Sequence, residues 1–351
     1  MISKNIIENI DPSGMREHIR HFYKQVEEAV TIGKKFQPAT GSKNITNIVL
    51  AGMGGSAIGG DLLRTYLSQK LRIPFIVNRD YTLPSFVDRN SLIIISSYSG
   101  NTEETLEAYE QAVERRARVL CITSGGEVAA RAKKLKHQTI FIPGGLQPRA
   151  ALGYSFFPLL YALDQTGFTD LDKNEVEETI TVLKTISGEA IDMTDKNLPY
   201  SIAKRLHGKP LVVWSAAGLL EAVSVRWRGQ LNENAKHLAY SAVFPELNHN
   251  EIVGWENPAE LLKHFSIIVL KDKDDHPRVV RRMAITKEVV KKTVGEIIDV
   301  SPRGESRLAR MFSMIHLGDW VSYYLAMLNE VDPTQVERIN YLKSELERAA
   351  V

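Results

Sequence analysis

Short apolar runs without polar alternation recur from residue 45 onward, and amphipathic helical patterns separate them. Residues 45–51, 73–77, 92–96, 119–123 and 139–142 read as strands, with three consecutive isoleucines in the third run. A strand wetted on one face alternates in polarity, so continuous runs point to strands buried on both faces. Such strands form parallel sheets covered by the helices that connect them, with right-handed crossovers. The chain is therefore expected to be an α/β protein.

The second half repeats the scheme less cleanly. Residues 210–215, 239–244, 265–270 and 296–300 read as strands, with helices over 218–235 and 279–292. Two helices finish the chain, 305–328 and 334–349, separated at Asp332-Pro333 because proline disfavours helix at the preceding residue. A helix also opens it: Asp11 is the expected N-cap, Pro12 the first helical residue, and Met15, Ile19, Phe22, Val26 and Val30 share one face. The polar, mostly helical stretch from 170 to 197 reads as a linker. The organisation expected is a first domain with its N-terminal helix over 1–168, a helical linker over 169–197 and a second domain over 198–351. The 351 residues suit about two domains of ~150 residues each.

Charge and cysteine content narrow the function classes. Lys and Arg number 44 against 42 Asp and Glu, a near balance that argues against a duplex-binding protein. Basic runs such as 131–136 fall on amphipathic helices and read as solvated faces. Cys121 is the only cysteine, so an internal disulfide or multi-thiolate metal site is excluded and a reducing compartment is expected. No signal peptide and no run of ~18 apolar residues is present. The expectation is a soluble cytoplasmic protein.

Four segments carry candidate chemistry. Ser97-Tyr98-Ser99-Gly100-Asn101-Thr102 follows a buried strand and opens a helix, where open α/β sheets bind ligands. Helix N-terminal amides favour an anion there, and three hydroxyls with a glycine add donors and close backbone approach. No Gly-Lys-Ser/Thr follows, so a monophosphate fits better than a triphosphate. The second segment, Gly52-Met53-Gly54-Gly55-Ser56-Ala57, also joins strand to helix. It matches the Gly/Ala form of the dinucleotide fingerprint, which keeps an NAD site open, although Asp80 comes late for the ribose carboxylate. The third, Asn232-Glu233-Asn234, sets a carboxylate near a helix end. The fourth, Pro245-Glu246-Leu247-Asn248-His249-Asn250-Glu251, is a polar loop around a histidine. His237, Glu246, His249 and Glu251 are hard ligands and leave a zinc alternative, though they follow no fixed ligand spacing.

Taken in order, Gly-Met-Gly-Gly-Ser-Ala, Ser-Tyr-Ser-Gly-Asn-Thr, Asn-Glu-Asn and Pro-Glu-Leu-Asn-His-Asn-Glu resemble the bifunctional phosphoglucose/phosphomannose isomerases of the sugar isomerase (SIS) superfamily. The resemblance runs from about residue 40 to the C-terminus. It implies two SIS-type, flavodoxin-like αβα subdomains with parallel five-stranded sheets and additional terminal helices. It further implies a metal-free, cofactor-free isomerase of fructose, glucose and mannose 6-phosphates, dimeric, with the active site at the subunit interface. By resemblance, Gly54, Gly55 and Ser56 belong to the loop that touches the sugar, and Ser97, Ser99 and Thr102 bind phosphate. Arg149 stands beside the reacting carbons, Glu233 is the base, His249 opens the ring and Lys343 lies near the ring oxygen. Thr334 is the candidate for mannose specificity.

These residue types suit aldose–ketose interconversion. Ring opening needs an acid and a base, and a histidine with a pKa near 6.5 supplies either. A carboxylate can then carry a proton between C1 and C2 through a cis-enediol, while a cation stabilises charge on the enediolate oxygens. The alternatives are a phosphosugar sensor without turnover, a glucose-only isomerase, an NAD enzyme and a metal-dependent mannose phosphate isomerase.

Overall fold

The computed structural model describes residues 9–39, 41–194 and 196–349. Among the elements described in full, α1 (Met15–Arg20) and α2 (Phe22–Lys35) precede the first sheet. All five residues of the expected apolar face are buried, but the helix breaks at His21 and starts later than expected. Asp11 Oδ1 and Oδ2 accept from the amides of Met15 and Arg16 at 2.7 and 2.9 Å. It therefore caps α1 from upstream, across a turn, and Pro12 lies outside the helix; Gly14, with φ 72°, holds the N-cap position.

The first sheet comprises β1 (Asn47–Ala51), β2 (Phe75–Asn78), β3 (Ser91–Ser96), β4 (Arg118–Thr123) and β5 (Gln138–Phe141). All pairs are parallel, in the order β2-β1-β3-β4-β5, the flavodoxin-like arrangement. Every residue of β1 is buried, and in β3 only Leu92 is partly exposed, which explains the lack of alternation. Helices α3 (Gly54–Leu67), α4 (Glu103–Glu114) and α5 (Gly126–Leu135) connect β1 to β2, β3 to β4 and β4 to β5, whereas β2 reaches β3 through a loop over 79–90 without the expected helix, and α6 (Leu152–Gln165) follows the last strand.

After α7 (Lys173–Glu189) and α8 (Leu198–Leu206), the second sheet forms from β6 (Leu211–Ala216), β7 (Ala239–Phe244), β8 (Ser266–Leu270) and β9 (Glu296–Val300). Its order is β7-β6-β8-β9, again all parallel. The α/β class and parallel arrangement are as expected, but this sheet has four strands where five were expected. The reason lies after β9. Residues 301–306, Ser-Pro-Arg-Gly-Glu-Ser, are polar and turn-forming, and the remaining apolar sequence is helical. Helix α9 (Glu221–Glu233) follows β6, α10 (Pro277–Val290) follows β8, and α11 (Arg307–Leu328) and α12 (Glu337–Arg348) close the chain.

Helix α11 holds the halves together. It is buried on all sides from Leu308 to Met327 and packs on α7, α8 and α9. One core cluster accordingly runs from Ile48 and Leu50 of the first sheet to Val213 and Ile268 of the second. Helix α9 also packs on α3, which brings its C-terminal end toward the loops of the first sheet. Among the described residues no helix is long and apolar enough to cross a membrane.

The contact between α9 and α11 is close enough to decide a mutational sign. A Cβ at Gly318 of α11 would stand 2.4 Å from Trp227 Nε1, and the buried indole is pinned by its hydrogen bond to the Met314 carbonyl at 2.8 Å. Alanine gains about 1 kcal/mol over glycine in a helix, whereas overpacking a core costs about 1–3 kcal/mol. Gly318→Ala is therefore expected to destabilise the protein, lowering Tm by about 2–4 °C for each kcal/mol lost. A rise in Tm by calorimetry would contradict this packing.

Candidate active site

The two small-residue loops of the first domain are bonded to each other. The turn after β1 brings Gly52 so close to β3 that an added Cβ would stand 2.7 Å from the Ser96 carbonyl oxygen. Ser56, on the first turn of α3, accepts from the Tyr98 amide at 3.2 Å. Gly55 faces the other way: its Cβ would stand 2.6 Å from the Pro148 carbonyl oxygen, so this glycine seats the turn that carries Arg149. Gly54 has φ 49° with open space around it.

Within the hydroxyl loop the side chains shape the backbone. Ser97 Oγ accepts from the Gly100 amide at 3.1 Å, and Ser99 Oγ from the Asn101 amide at 3.2 Å. Gly100 has φ 75°, and a Cβ there would meet the Gly125 carbonyl at 1.9 Å, so only glycine fits. Thr102 holds the N-cap position of α4 without capping it. Its Oγ1 pairs with Ser97 Oγ at 2.9 Å instead. Ordinary N-capping does not explain this hydroxyl.

Arg149 joins the two domains. It sits in a single 3-10 turn, Pro148–Ala150, at 4% exposure. Its Nε donates to Asn234 Oδ1 at 2.7 Å, and Nη2 donates to the carbonyls of Pro333 and Thr334 at 2.6 and 2.8 Å. Nη1 lies 3.5 Å from Glu233 Oε2. Glu233 ends α9 with a half-exposed side chain. Burial pulls the Arg149 pKa below the usual arginine range, while the carboxylates of Glu233 and Asp332 act in the opposite sense. Thr334 completes the wall: it is buried, and its Oγ1 has no hydrogen-bond partner.

Beneath Arg149 lies a buried cluster that the sequence reading missed. Arg226 Nη2 donates to the Arg149 carbonyl at 3.1 Å and to both carboxylate oxygens of Asp319 at 2.9 and 3.0 Å. Gln230 donates to Asp319 Oδ1 at 2.8 Å. The available signal was Asp319 itself, a lone carboxylate deep inside the apolar run of α11, which must find a partner if buried.

His249 and Lys343 stand apart. His249 ends a 3-10 turn after β7 and Lys343 lies on α12, both exposed. Among the described residues neither side chain makes a hydrogen bond or ion pair. The other three residues weighed for zinc are engaged elsewhere. His237 Nε2 contacts the Lys209 carbonyl at 2.6 Å, Glu246 accepts from Asn250 and Glu251 accepts from Trp214 and Trp255. Among the described residues no group of three or more His, Cys, Asp or Glu is placed to hold a metal ion.

Tandem parallel sheets with a hydroxyl loop after the third strand define a protein of the SIS-domain class. Residues 43–145 match the SIS domain, and residues 195–346 match the bacterial phospho-glucose isomerase C-terminal SIS domain. The chain is 46% identical over 334 residues to a bifunctional phosphoglucose/phosphomannose isomerase of Caldicellulosiruptor bescii, covering 95% of this chain and 98% of that one. It is 39% identical over 333 residues to the protein of that name from Aquifex aeolicus, with the same coverage. The chain belongs to the bifunctional phosphoglucose/phosphomannose isomerase family. The fold is shared more widely: tagatose-6-phosphate ketose/aldose isomerase from Escherichia coli superposes with a TM-score of 0.65 at 14% identity, over 93% of this chain and 96% of that one.

The buried cluster yields a stability prediction. Asp319→Ala leaves the Arg226 guanidinium buried without its carboxylate and is expected to cost about 3–5 kcal/mol in urea denaturation. Asp319→Asn keeps an acceptor and should cost less. A loss below about 1 kcal/mol for the alanine variant would mean that the pair behaves as a solvent-screened one.

Proposed function

We propose that the protein is a metal-independent aldose–ketose isomerase that interconverts fructose 6-phosphate with glucose 6-phosphate and mannose 6-phosphate. The observation that carries this reading is the placement of Arg149 Nη1 at 3.5 Å from Glu233 Oε2. It sets a proton-transferring carboxylate against a fixed cation, the pair an enediolate requires.

In this reading the phosphate is held by Ser97, Ser99 and Thr102 at the start of α4, and Ser56 with the backbone of Gly54 and Gly55 borders the sugar. Anchoring at the phosphate orients C1 and C2, remote from it, beside Glu233. The Glu233 carboxylate removes the proton on C2 of the aldose; the electron pair forms the C1–C2 double bond of a cis-enediol. The C1 carbonyl oxygen takes the electron pair of its broken π bond and then the proton of the C2 hydroxyl, and the same carboxylic acid returns its proton to C1 as the C2 oxygen becomes the ketone. Arg149 stabilises the negative charge on the enediolate oxygens. Return to either face of C2 gives glucose or mannose stereochemistry, and Thr334, whose buried hydroxyl lacks a partner, governs that choice. His249 and Lys343 open the ring. Because both are exposed and have no partner among the described residues, we assign them to sites completed by a homodimer, with His249 entering the neighbouring subunit's site. A lone buried thiol, Cys121, fits a cytoplasmic enzyme.

EDTA-treated protein given fructose 6-phosphate should yield both glucose 6-phosphate and mannose 6-phosphate in separate coupled assays. Glu233→Gln should lower kcat for both by roughly 10²–10⁴-fold. Binding without turnover would make the protein a sensor, and loss of activity with EDTA would overturn the metal-free mechanism.

Subunit completion has its own test. Mixing inactive Glu233→Ala and His249→Ala proteins under conditions of proven subunit exchange should restore part of the activity, because some mixed dimers contain one intact site. No recovery would place His249 in its own subunit's site or outside the chemistry.

A further inference from the structure

Arginine has five N–H donors in a rigid plane and no acceptor. In Arg149 three of them are committed along one edge of that plane: Nε to Asn234 Oδ1, and both hydrogens of Nη2 to the carbonyls of Pro333 and Thr334. The two that remain belong to Nη1, the nitrogen facing Glu233. The guanidinium is therefore locked from behind, with its uncommitted donors turned toward the carboxylate.

Of the three acceptors only Asn234 is a side chain, and its orientation is determined. Arg149 Nε can only donate, so the amide must present its oxygen there. The amide nitrogen then faces Ser322 and donates to its Oγ at 3.0 Å, while Ser322 Oγ donates to the Asp319 carbonyl at 2.8 Å. Both Asn234 and Ser322 are fully buried. The carbonyls that take Nη2 are fixed in turn. Lys236 Nζ, at the end of α9, donates to the Asp332 carbonyl and to the Glu233 carbonyl, the latter at 3.0 Å. The 332–334 turn is thereby tied to the segment that carries the base.

We propose that Asn234 is a positioning residue for Arg149: held by Ser322, it takes Nε and so aims Nη1 at the reacting carbons beside Glu233. This inference rests on the isomerase reading of the site. The Asn234 side chain is spent on Arg149 and Ser322 rather than on the hydroxyl loop, so its removal should leave substrate binding nearly intact. It should weaken the stabilisation that Arg149 provides in the transition state, which lowers kcat.

The test is steady-state kinetics on fructose 6-phosphate with folded Asn234→Ala, compared with Arg149→Ala and the double variant. A displaced guanidinium predicts a kcat lowered about 10- to 100-fold with KM changed less than about threefold. Because Asn234 acts through Arg149, the double variant should match Arg149→Ala within about twofold. A wild-type kcat, a loss confined to KM, or effects that multiply in the double variant would each overturn the proposal. Ser322→Ala removes only the hydroxyl that orients the amide and should lower kcat in the same sense by a smaller factor. If Asn234→Ala does not fold, a wild-type kcat for Ser322→Ala overturns the proposal in its place. An unsubstituted protein without isomerase activity would overturn the isomerase reading and this role with it, whereas an active protein with an unaffected Asn234→Ala variant overturns this role alone.

Discussion

A buried guanidinium organises this molecule. Taking a charge out of water costs several kcal/mol unless it is paired and hydrogen-bonded, and Arg149 is 4% exposed. Its acceptors come from the end of α9 and from the 332–334 turn after α11, while its own turn is seated by Gly55 of α3. Those segments are therefore fixed relative to one another by the same group. The Asp319–Arg226 pair extends the constraint downward, since Arg226 also donates to the Arg149 carbonyl. What is unusual is that a helix as apolar as α11 should carry Asp319 at all. The carboxylate balances Arg226, which holds the Arg149 backbone, so a polar cluster inside the core sets the height of the site above it.

The second sheet repeats the first with a different fate for its loop. β8 occupies the place of β3, next to the central strand on the side away from β7. Where β3 leads into Ser97, Ser99 and Thr102, β8 leads into Asp272, Asp274 and Asp275. Arg310 of α11 fills this loop from within, donating to Asp272 at 2.8 and 3.1 Å and also to Asp274. Burial, with Asp272 and Asp274 alongside, raises the Asp275 pKa to about 6. An acidic loop closed by its own arginine has no use for a phosphate. The duplicated architecture thus leaves one hydroxyl loop, proposed above to take the phosphate, and one internal ion pair, which fastens α11 to the sheet.

Much of this was legible, and the failures have physical causes. Continuous apolar runs reported buried parallel strands directly, and 239–244 was read to the residue. The four runs of the second half were also read correctly; the fifth strand was carried over from the family's usual sheet and has no apolar run to build it. Periodicity found the buried face of α1 and α2 but not the break at His21, because a one-residue kink leaves the apolar spacing intact. In the site, Arg149, Glu233 and Thr334 are brought together across long sequence separations; the family resemblance nominated them, and no local spacing or composition would have done so. Arg226 and Gln230 did not show, since polar residues on a helix look solvated until the packing partner is known. Asn234 sat inside a recognised motif, but its role depends on a neighbour 85 residues away, which no local pattern encodes.

The exposed residues follow from the same logic as the buried ones. In the proposed reading His249 and Lys343 open the ring, and both lie outside the cluster around Arg149. Helix α12, which bears Lys343, buries none of its side chains and exposes Ile339, Tyr341, Leu342 and Leu346. An amphipathic helix owes most of its stability to packing, and an apolar face of this kind marks a contact surface. A second copy covering α12 would desolvate that face and, in the proposed reading, bring His249 and Lys343 to the Glu233–Arg149 pair, which is already fixed within the chain. The division is chemically sensible: proton transfer at carbon needs an immobile pair, whereas the acid and base at the ring oxygen act first and tolerate delivery by a surface that assembles around the sugar.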